Sequence, residues 1–151
     1  MSNGIKLLIV DDEVQFLDSI SKRLEMRGFD VSKATSGLEA LEAAKAGGFD
    51  LAILDLKMPG MDGIELLSKL KEINPFIQVL VLTAFGSVET AVAAMKAGAN
   101  DYLTKPVEDL DELLIKLEKA YLHNQLIVEN QVMQEKLADS FPETDIIGES
   151  D

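Results

Sequence analysis

Four apolar runs in this sequence lead into side chains capable of chemistry. Ile5–Val10 is followed by the acidic triplet Asp11-Asp12-Glu13, Leu51–Leu54 by Asp55, Ile77–Leu82 by Thr83, and Asp101–Leu103 by Lys105. If the runs are parallel strands of one sheet, these residues share its carboxyl-terminal rim, where open α/β sheets bind their ligands. Three carboxylates brought together there, Asp11, Asp12 and Asp55, repel one another, and one pKa must rise unless a cation intervenes. A magnesium ion held by carboxylates, a backbone carbonyl and water relieves that crowding, and Lys105 adds a positive charge from the opposite side. A phosphoryl group suits such a set, because a metal and a lysine together neutralise its oxygens. Asp55 is then the candidate nucleophile, since a carboxylate can form an acyl phosphate. Thr83 can donate a hydroxyl hydrogen bond to a phosphoryl oxygen.

Composition narrows the remaining chemistry. The chain has 151 residues, about one domain's worth, with 47% hydrophobic and 27% charged residues, a globular balance. Lys and Arg number 14 against 27 Asp and Glu, a net charge of −13 that repels phosphate backbones and argues against nucleic-acid or anionic-membrane binding. The absence of cysteine excludes disulfides, thiolate catalysis and cysteine-ligated zinc, and the single histidine, His123, cannot build a multi-histidine metal site. Any bound metal is therefore expected to be hard and oxygen-ligated. The first apolar run is too short to span a membrane and carries no signal-peptide pattern, so a cytoplasmic location is expected.

The rim residues must be positioned by an alternation of short apolar runs and longer helical patterns. The runs are Ile5–Val10, Phe29–Lys33, Leu51–Leu54, Ile77–Leu82 and Asp101–Leu103. Three of them are nearly continuous in Val, Ile and Leu, as strands buried on both faces of a parallel sheet are. Between them, residues 13–27 carry the stripe Phe16, Leu17, Ile20 and Leu24 and end at Gly28. Ser36 with Glu39 forms a capping box for a helix ending at Gly47–Gly48. Asp62 caps 63–73, which stop before Pro75, while Ser87 opens 88–97 and Gly98 closes it. The pattern predicts a doubly wound α/β fold with a five-stranded parallel sheet in the flavodoxin-like order 2-1-3-4-5, flanked by five helices.

The last helical pattern, 107–138, is too long for its domain. At ~1.5 Å per residue it extends about 48 Å, against a radius of gyration of ~14 Å for a domain of its size. It must protrude, or break near Asn124. Leu110, Leu113, Leu114, Leu117 and Tyr121 form a stripe that packs on the sheet. Leu126, Asn130, Met133 and Leu137 recur at the alternating spacing of a coiled-coil seam, which predicts a homodimer through this helix. The expected organisation is a domain over 4–121, a linker helix over 122–139 and a tail over 140–151.

The segments LLIVDDE (7–13), ILDLKMPGMDG (53–63), VLTAFG (81–86) and AGANDYLTKPV (97–107) resemble the receiver domain of two-component response regulators over residues 4–121. The resemblance implies that Asp55 accepts a phosphoryl group from a sensor histidine kinase. It implies a Mg2+ site in which Asp12 and Asp55 ligate directly, Asp11 through water, and Lys57 through its backbone carbonyl. Lys105 would contact the phosphoryl group, its peptide bond to Pro106 would be cis, and Thr83 and Tyr102 would be the switch pair, with Tyr102 turning inward. Such a protein is a phospho-acceptor that promotes its own phosphorylation and dephosphorylation, not a turnover enzyme. TAFGSVETAVAAMKAGANDYLTKP is similar to receivers of the nitrogen-regulator class of sigma-54-dependent activators, and DIIGES resembles the entry to their AAA+ ATPase domain. The chain would then be the receiver and linker of a longer protein.

Two other readings fit less well. A magnesium-dependent aspartyl-phosphate hydrolase of the haloacid-dehalogenase kind wants Asp-x-Asp after the first strand, where this chain has Asp11-Asp12-Glu13. A flavodoxin wants a hydroxyl- and glycine-rich phosphate loop there, and the acidic triplet would repel flavin phosphate. Several residues carry plain alternatives: His123 as a surface histidine, Phe85 as packing or as control of water access to Asp55, and Met58 and Met61 as partner surface or gap-fillers. Gly63 is expected to serve backbone geometry near a helix start.

Overall fold

A computed structural model describes residues 4–57, 62–84 and 88–140, the side chains of Ala84 and of 127–140 excepted. Its elements are β1 (Lys6–Val10), α1 (Val14–Glu25), β2 (Asp30–Ala34), α2 (Gly37–Ala46), β3 (Leu51–Asp55), α3 (Gly63–Ile73), β4 (Gln78–Ala84), α4 (Val88–Lys96), β5 (Asp101–Lys105) and α5 (Leu110–Ser140). All strand pairs are parallel and the order is β2-β1-β3-β4-β5, as the sequence pattern predicts. Strands β2, β3, β4 and β5 all run past the ends of their apolar runs. Asp55 pairs with Leu82 and Thr83 with Thr104, and Lys105 is the last residue of β5. Asp55, Thr83 and Lys105 thus lie inside the ladder and not after it, because backbone pairing continues regardless of side-chain polarity. That gives the rim residues a rigid backbone.

Side chains alternate across the sheet and build a core on each face. Leu7, Ile9, Ile53 and Leu82 pack with Leu17, Ile20 and Leu24 of α1 and Leu113 and Leu117 of α5. Leu8, Val10, Leu54 and Val81 pack with Leu66, Leu67 and Leu70 of α3 and Ala94 of α4. Each such fully buried aliphatic side chain contributes about 1.5–3 kcal/mol.

The helix starts follow their caps. Glu39 N–H donates to Ser36 Oγ at 3.2 Å, while the Glu39 carboxylate accepts from Thr35 N–H at 2.7 Å and Thr35 Oγ1 at 2.9 Å. The return bond thus reaches one residue before the cap, and these two donors hold the Glu39 carboxyl below its ordinary range. Asp62 accepts from the N–H groups of Ile64 at 2.7 Å and Glu65 at 3.2 Å. Gly28 and Gly98 close α1 and α4 at φ of 97° and 116°. Ser87, Phe85, Met58 and Met61 lie outside the described residues.

Helix α5 does not break at Asn124. It runs 31 residues, about 46 Å. Asn124 is buried and donates from Nδ2 to the Phe76 carbonyl, so packing on the domain reaches one turn beyond Tyr121. Leu122 and Leu126 are 62% and 61% exposed. Asn130, Met133 and Leu137 belong to the stretch whose side chains are not described.

Gly63 serves a different need from the one expected. Its φ is not in the left-handed region. A Cβ there would stand 2.6 Å from Leu56 Cα and 2.9 Å from the Asp55 carbonyl oxygen. The missing side chain lets α3 press against the end of β3, behind the rim. Gly63→Ala is expected to cost about 1–3 kcal/mol by overpacking, read as a lower denaturation midpoint. An unchanged midpoint would show that the junction has room to spare.

Candidate functional site

The ends of β1, β3 and β5 bring the predicted residues together. Asp11 is held at the edge by its N–H donating to the Ala34 carbonyl at 3.1 Å. Asp11 and Asp55 are buried, Asp12 is exposed, and the three can present carboxylate oxygens within 4.8 Å of one another. Lys105 Nζ donates to Asp11 Oδ2 at 2.8 Å and to Asp55 Oδ2 at 3.4 Å, and it pairs with Glu13 Oε1. The ammonium also stands 4.7 Å from the centre of the Phe16 ring. Backbone donors complete the shell: Glu13 N–H to Asp11 Oδ1 at 2.9 Å and Lys57 N–H to Asp55 Oδ1 at 3.0 Å. Asp12, Glu13, Asp55, Lys57 and Lys105 line an open pocket of about 320 Å³.

The remaining candidates do not line this pocket. Thr83 is buried in β4. Tyr102 in β5 is 44% exposed, with Lys116 Nζ 5.8 Å from its ring centre. The Lys105–Pro106 peptide is cis. His123 Nδ1 lies 3.5 Å from Asn100 Nδ2 and lines a separate cleft with Asn100, away from the carboxylates. Among the described residues no helix is long and apolar enough to cross a membrane. Two contributors escaped sequence reasoning. Glu13 was visible as the third acid of the triplet, but nothing in the sequence said that it reaches Lys105. Phe16 stood only in the apolar stripe of α1, and its contact with Lys105 depends on how the helix rotates against β5.

Residues 7–118 match the family model for the response regulator receiver domain. The chain belongs to this family. It is 45% identical over 125 residues to the transcriptional regulatory protein ZraR of Escherichia coli O157:H7, covering 83% of this chain and 28% of ZraR. It is 35% identical over 150 residues to the DNA-binding transcriptional regulator NtrC of Escherichia coli K12, covering 99% of this chain and 31% of NtrC. A crystal structure of NtrX from Brucella abortus in complex with ATP superposes with a TM-score of 0.79 at 29% identity, over 99% of this chain and 32% of NtrX. The chain therefore spans less than a third of the length of these relatives. It is the receiver domain of a two-component response regulator related to these transcriptional regulators.

The receiver's pocket carries unbalanced charge. Burial pushes the Asp55 carboxyl above its ordinary 3.8; the Lys57 N–H opposes that, the Asp11 charge adds to it, and Lys105 draws it part of the way back. For Lys105, burial works against the charge, but hydrogen bonds to Asp11 and Glu13 outweigh it and hold the ammonium above its ordinary 10.5. The donor set is all oxygen, two buried carboxylates and one open to solvent, which fits a hard divalent cation. A carboxyl whose folded pKa is raised costs stability when ionised, and the cost disappears as pH falls through the folded value to below the unfolded one. Metal-free Asp55→Asn is therefore expected to melt higher than the parent at pH 7, with the gap closing toward pH 3. A variant melting lower at pH 7 would show that the Lys105 contact outweighs burial.

Proposed function

We propose that Asp55 accepts a phosphoryl group from the phosphohistidine of a sensor kinase, with Mg2+ as cofactor. The observation that carries this reading is the buried Asp55 at the end of β3, able to share a cation with Asp11 and Asp12 and contacted by Lys105 at 3.4 Å. Asp11, Asp12, Asp55 and the Lys57 carbonyl would hold the ion, which when bound neutralises phosphoryl oxygens. An Asp55 carboxylate oxygen forms the bond to phosphorus as the bond to the histidine nitrogen breaks and the imidazole keeps the electron pair. Lys105 takes up charge on the phosphoryl oxygens, and Thr83 donates a hydroxyl hydrogen bond to one of them. Hydrolysis later returns the carboxylate, so the protein is a switch that promotes its own chemistry and not a turnover enzyme. Incubation with acetyl phosphate and Mg2+ should add one phosphoryl group by intact mass, and none to Asp55→Asn. An Asp55→Asn protein that gains the same mass would sink the assignment.

The output follows from β4, β5 and α5. Thr83 drawn toward a phosphoryl group leaves space behind it on β4, into which Tyr102 of the adjacent β5 can turn. The altered face, with α5, then carries the signal along the linker. The similarity to NtrC and NtrX over 99% of this chain supports placing it before an AAA+ ATPase domain of a cytoplasmic sigma-54-dependent activator. Leu126, exposed beyond the packed part of α5, supports a homodimer whose seam continues through Asn130, Met133 and Leu137. Phosphorylation rearranges that pair. Leu126→Lys with Met133→Lys should sediment as monomer at concentrations where the parent is a dimer, with Asp55 labelling intact. Equal sedimentation of parent and double variant would make the linker a tether only.

A further inference from the structure

We propose that Glu13 is a positioning residue: it holds Lys105 in a resting place and competes with the phosphoryl group for its ammonium. The proposal rests on the reading of Asp55 as phospho-acceptor. A lysine ammonium has three N–H donors, and three carboxylates surround this one: Asp11 at 2.8 Å, Asp55 at 3.4 Å and Glu13. A phosphoryl group on Asp55 brings further anionic oxygens to the Asp55 side of Lys105. Forming the acyl phosphate takes the charge off the Asp55 carboxylate, whose contact a phosphoryl oxygen can replace. A second phosphoryl oxygen that reaches the ammonium must displace Asp11 or Glu13.

Burial decides which partner leaves. The Asp11 side chain is fully buried, and its other oxygen accepts from the Glu13 N–H at 2.9 Å. The Glu13 side chain is 64% exposed, and among the described residues Lys105 is its one ion-pair partner. Releasing Glu13 to water therefore costs least. Glu13 also lies outside the group of carboxylates that can share a cation, while it lines the pocket beside Asp55 and Lys105. It is thus an internal anion on the wall of the pocket that a phosphoryl donor must enter, and its charge further repels the anionic donor on approach.

The test is the affinity of the full chain for beryllofluoride, a phosphoryl mimic, at saturating Mg2+, by calorimetry. Glu13→Gln removes the charge at constant shape, and Glu13→Asp keeps the charge but shortens the reach. Both should bind about 1.5- to 5-fold more tightly than the parent, the range for one exposed ion pair. Glu108→Gln, in the neighbouring cleft between β5 and α5, should match the parent; a gain equal to that of Glu13→Gln makes the effect one of net charge and overturns the proposal. Mg2+ affinity without beryllofluoride should be unchanged in Glu13→Gln, and a several-fold loss would make Glu13 a metal ligand and overturn it also. A parent that binds beryllofluoride while Glu13→Gln binds it no more tightly overturns this proposal alone. A parent that binds none overturns the acceptor reading as well.

Discussion

One lysine is shared among more carboxylates than it can neutralise. Asp11, Glu13 and Asp55 all contact Lys105, and Asp12 stands beside them in the open. A parallel sheet makes this crowding possible, because strands β1, β3 and β5 all end on the same rim and the ladder fixes their ends. The fold tolerates it because Lys105 bridges three of the carboxylates and two backbone N–H groups, of Glu13 and Lys57, donate to Asp11 and Asp55. The residual imbalance suits a divalent cation, and the proposed phosphoryl transfer would draw on the same imbalance. The same imbalance is a stability cost, so an ion that binds the folded receiver at this edge would stabilise it.

The supports of the site lie one layer behind it. Gly63 keeps α3 close against Leu56 and the Asp55 carbonyl, which fixes the β3–α3 junction. Phe16 lies under the Lys105 ammonium, joining the α1 stripe to the rim. On the opposite edge of the sheet, Asn124 of α5 hydrogen-bonds the Phe76 carbonyl just before β4. The strand that carries Thr83 and the helix that leaves the domain are thereby joined at the start of β4 as well as through the packing of Leu82 with Leu113 and Leu117.

Most of this was legible in the sequence where a local rule governs. Nearly continuous Val, Ile and Leu runs mark buried parallel strands, and the caps at Ser36 and Asp62 form as their residue types require. The rim residues could be named because topology alone assigns them to one edge. What stayed hidden was non-local. That Asp55, Thr83 and Lys105 belong to strands depends on neighbours in the ladder and not on their own polarity. Glu13 reaching Lys105, and Gly63 meeting Leu56, depend on angles between elements that no spacing encodes. Asn124 reads as a break in an apolar stripe, yet it is buried because a carbonyl waits opposite.

The central claim is that the carboxylate cluster is a magnesium site on which the rest of the receiver's chemistry depends. Thermal melting across a Mg2+ titration tests it most directly, because an ion that binds only the folded state stabilises it increasingly as the free ion concentration rises above the dissociation constant. The parent should melt progressively higher with Mg2+, and Asp12→Ala, which removes the one solvent-exposed carboxylate of the three, should show no rise over the same range. An equal rise in both proteins would place the metal elsewhere and contradict the account.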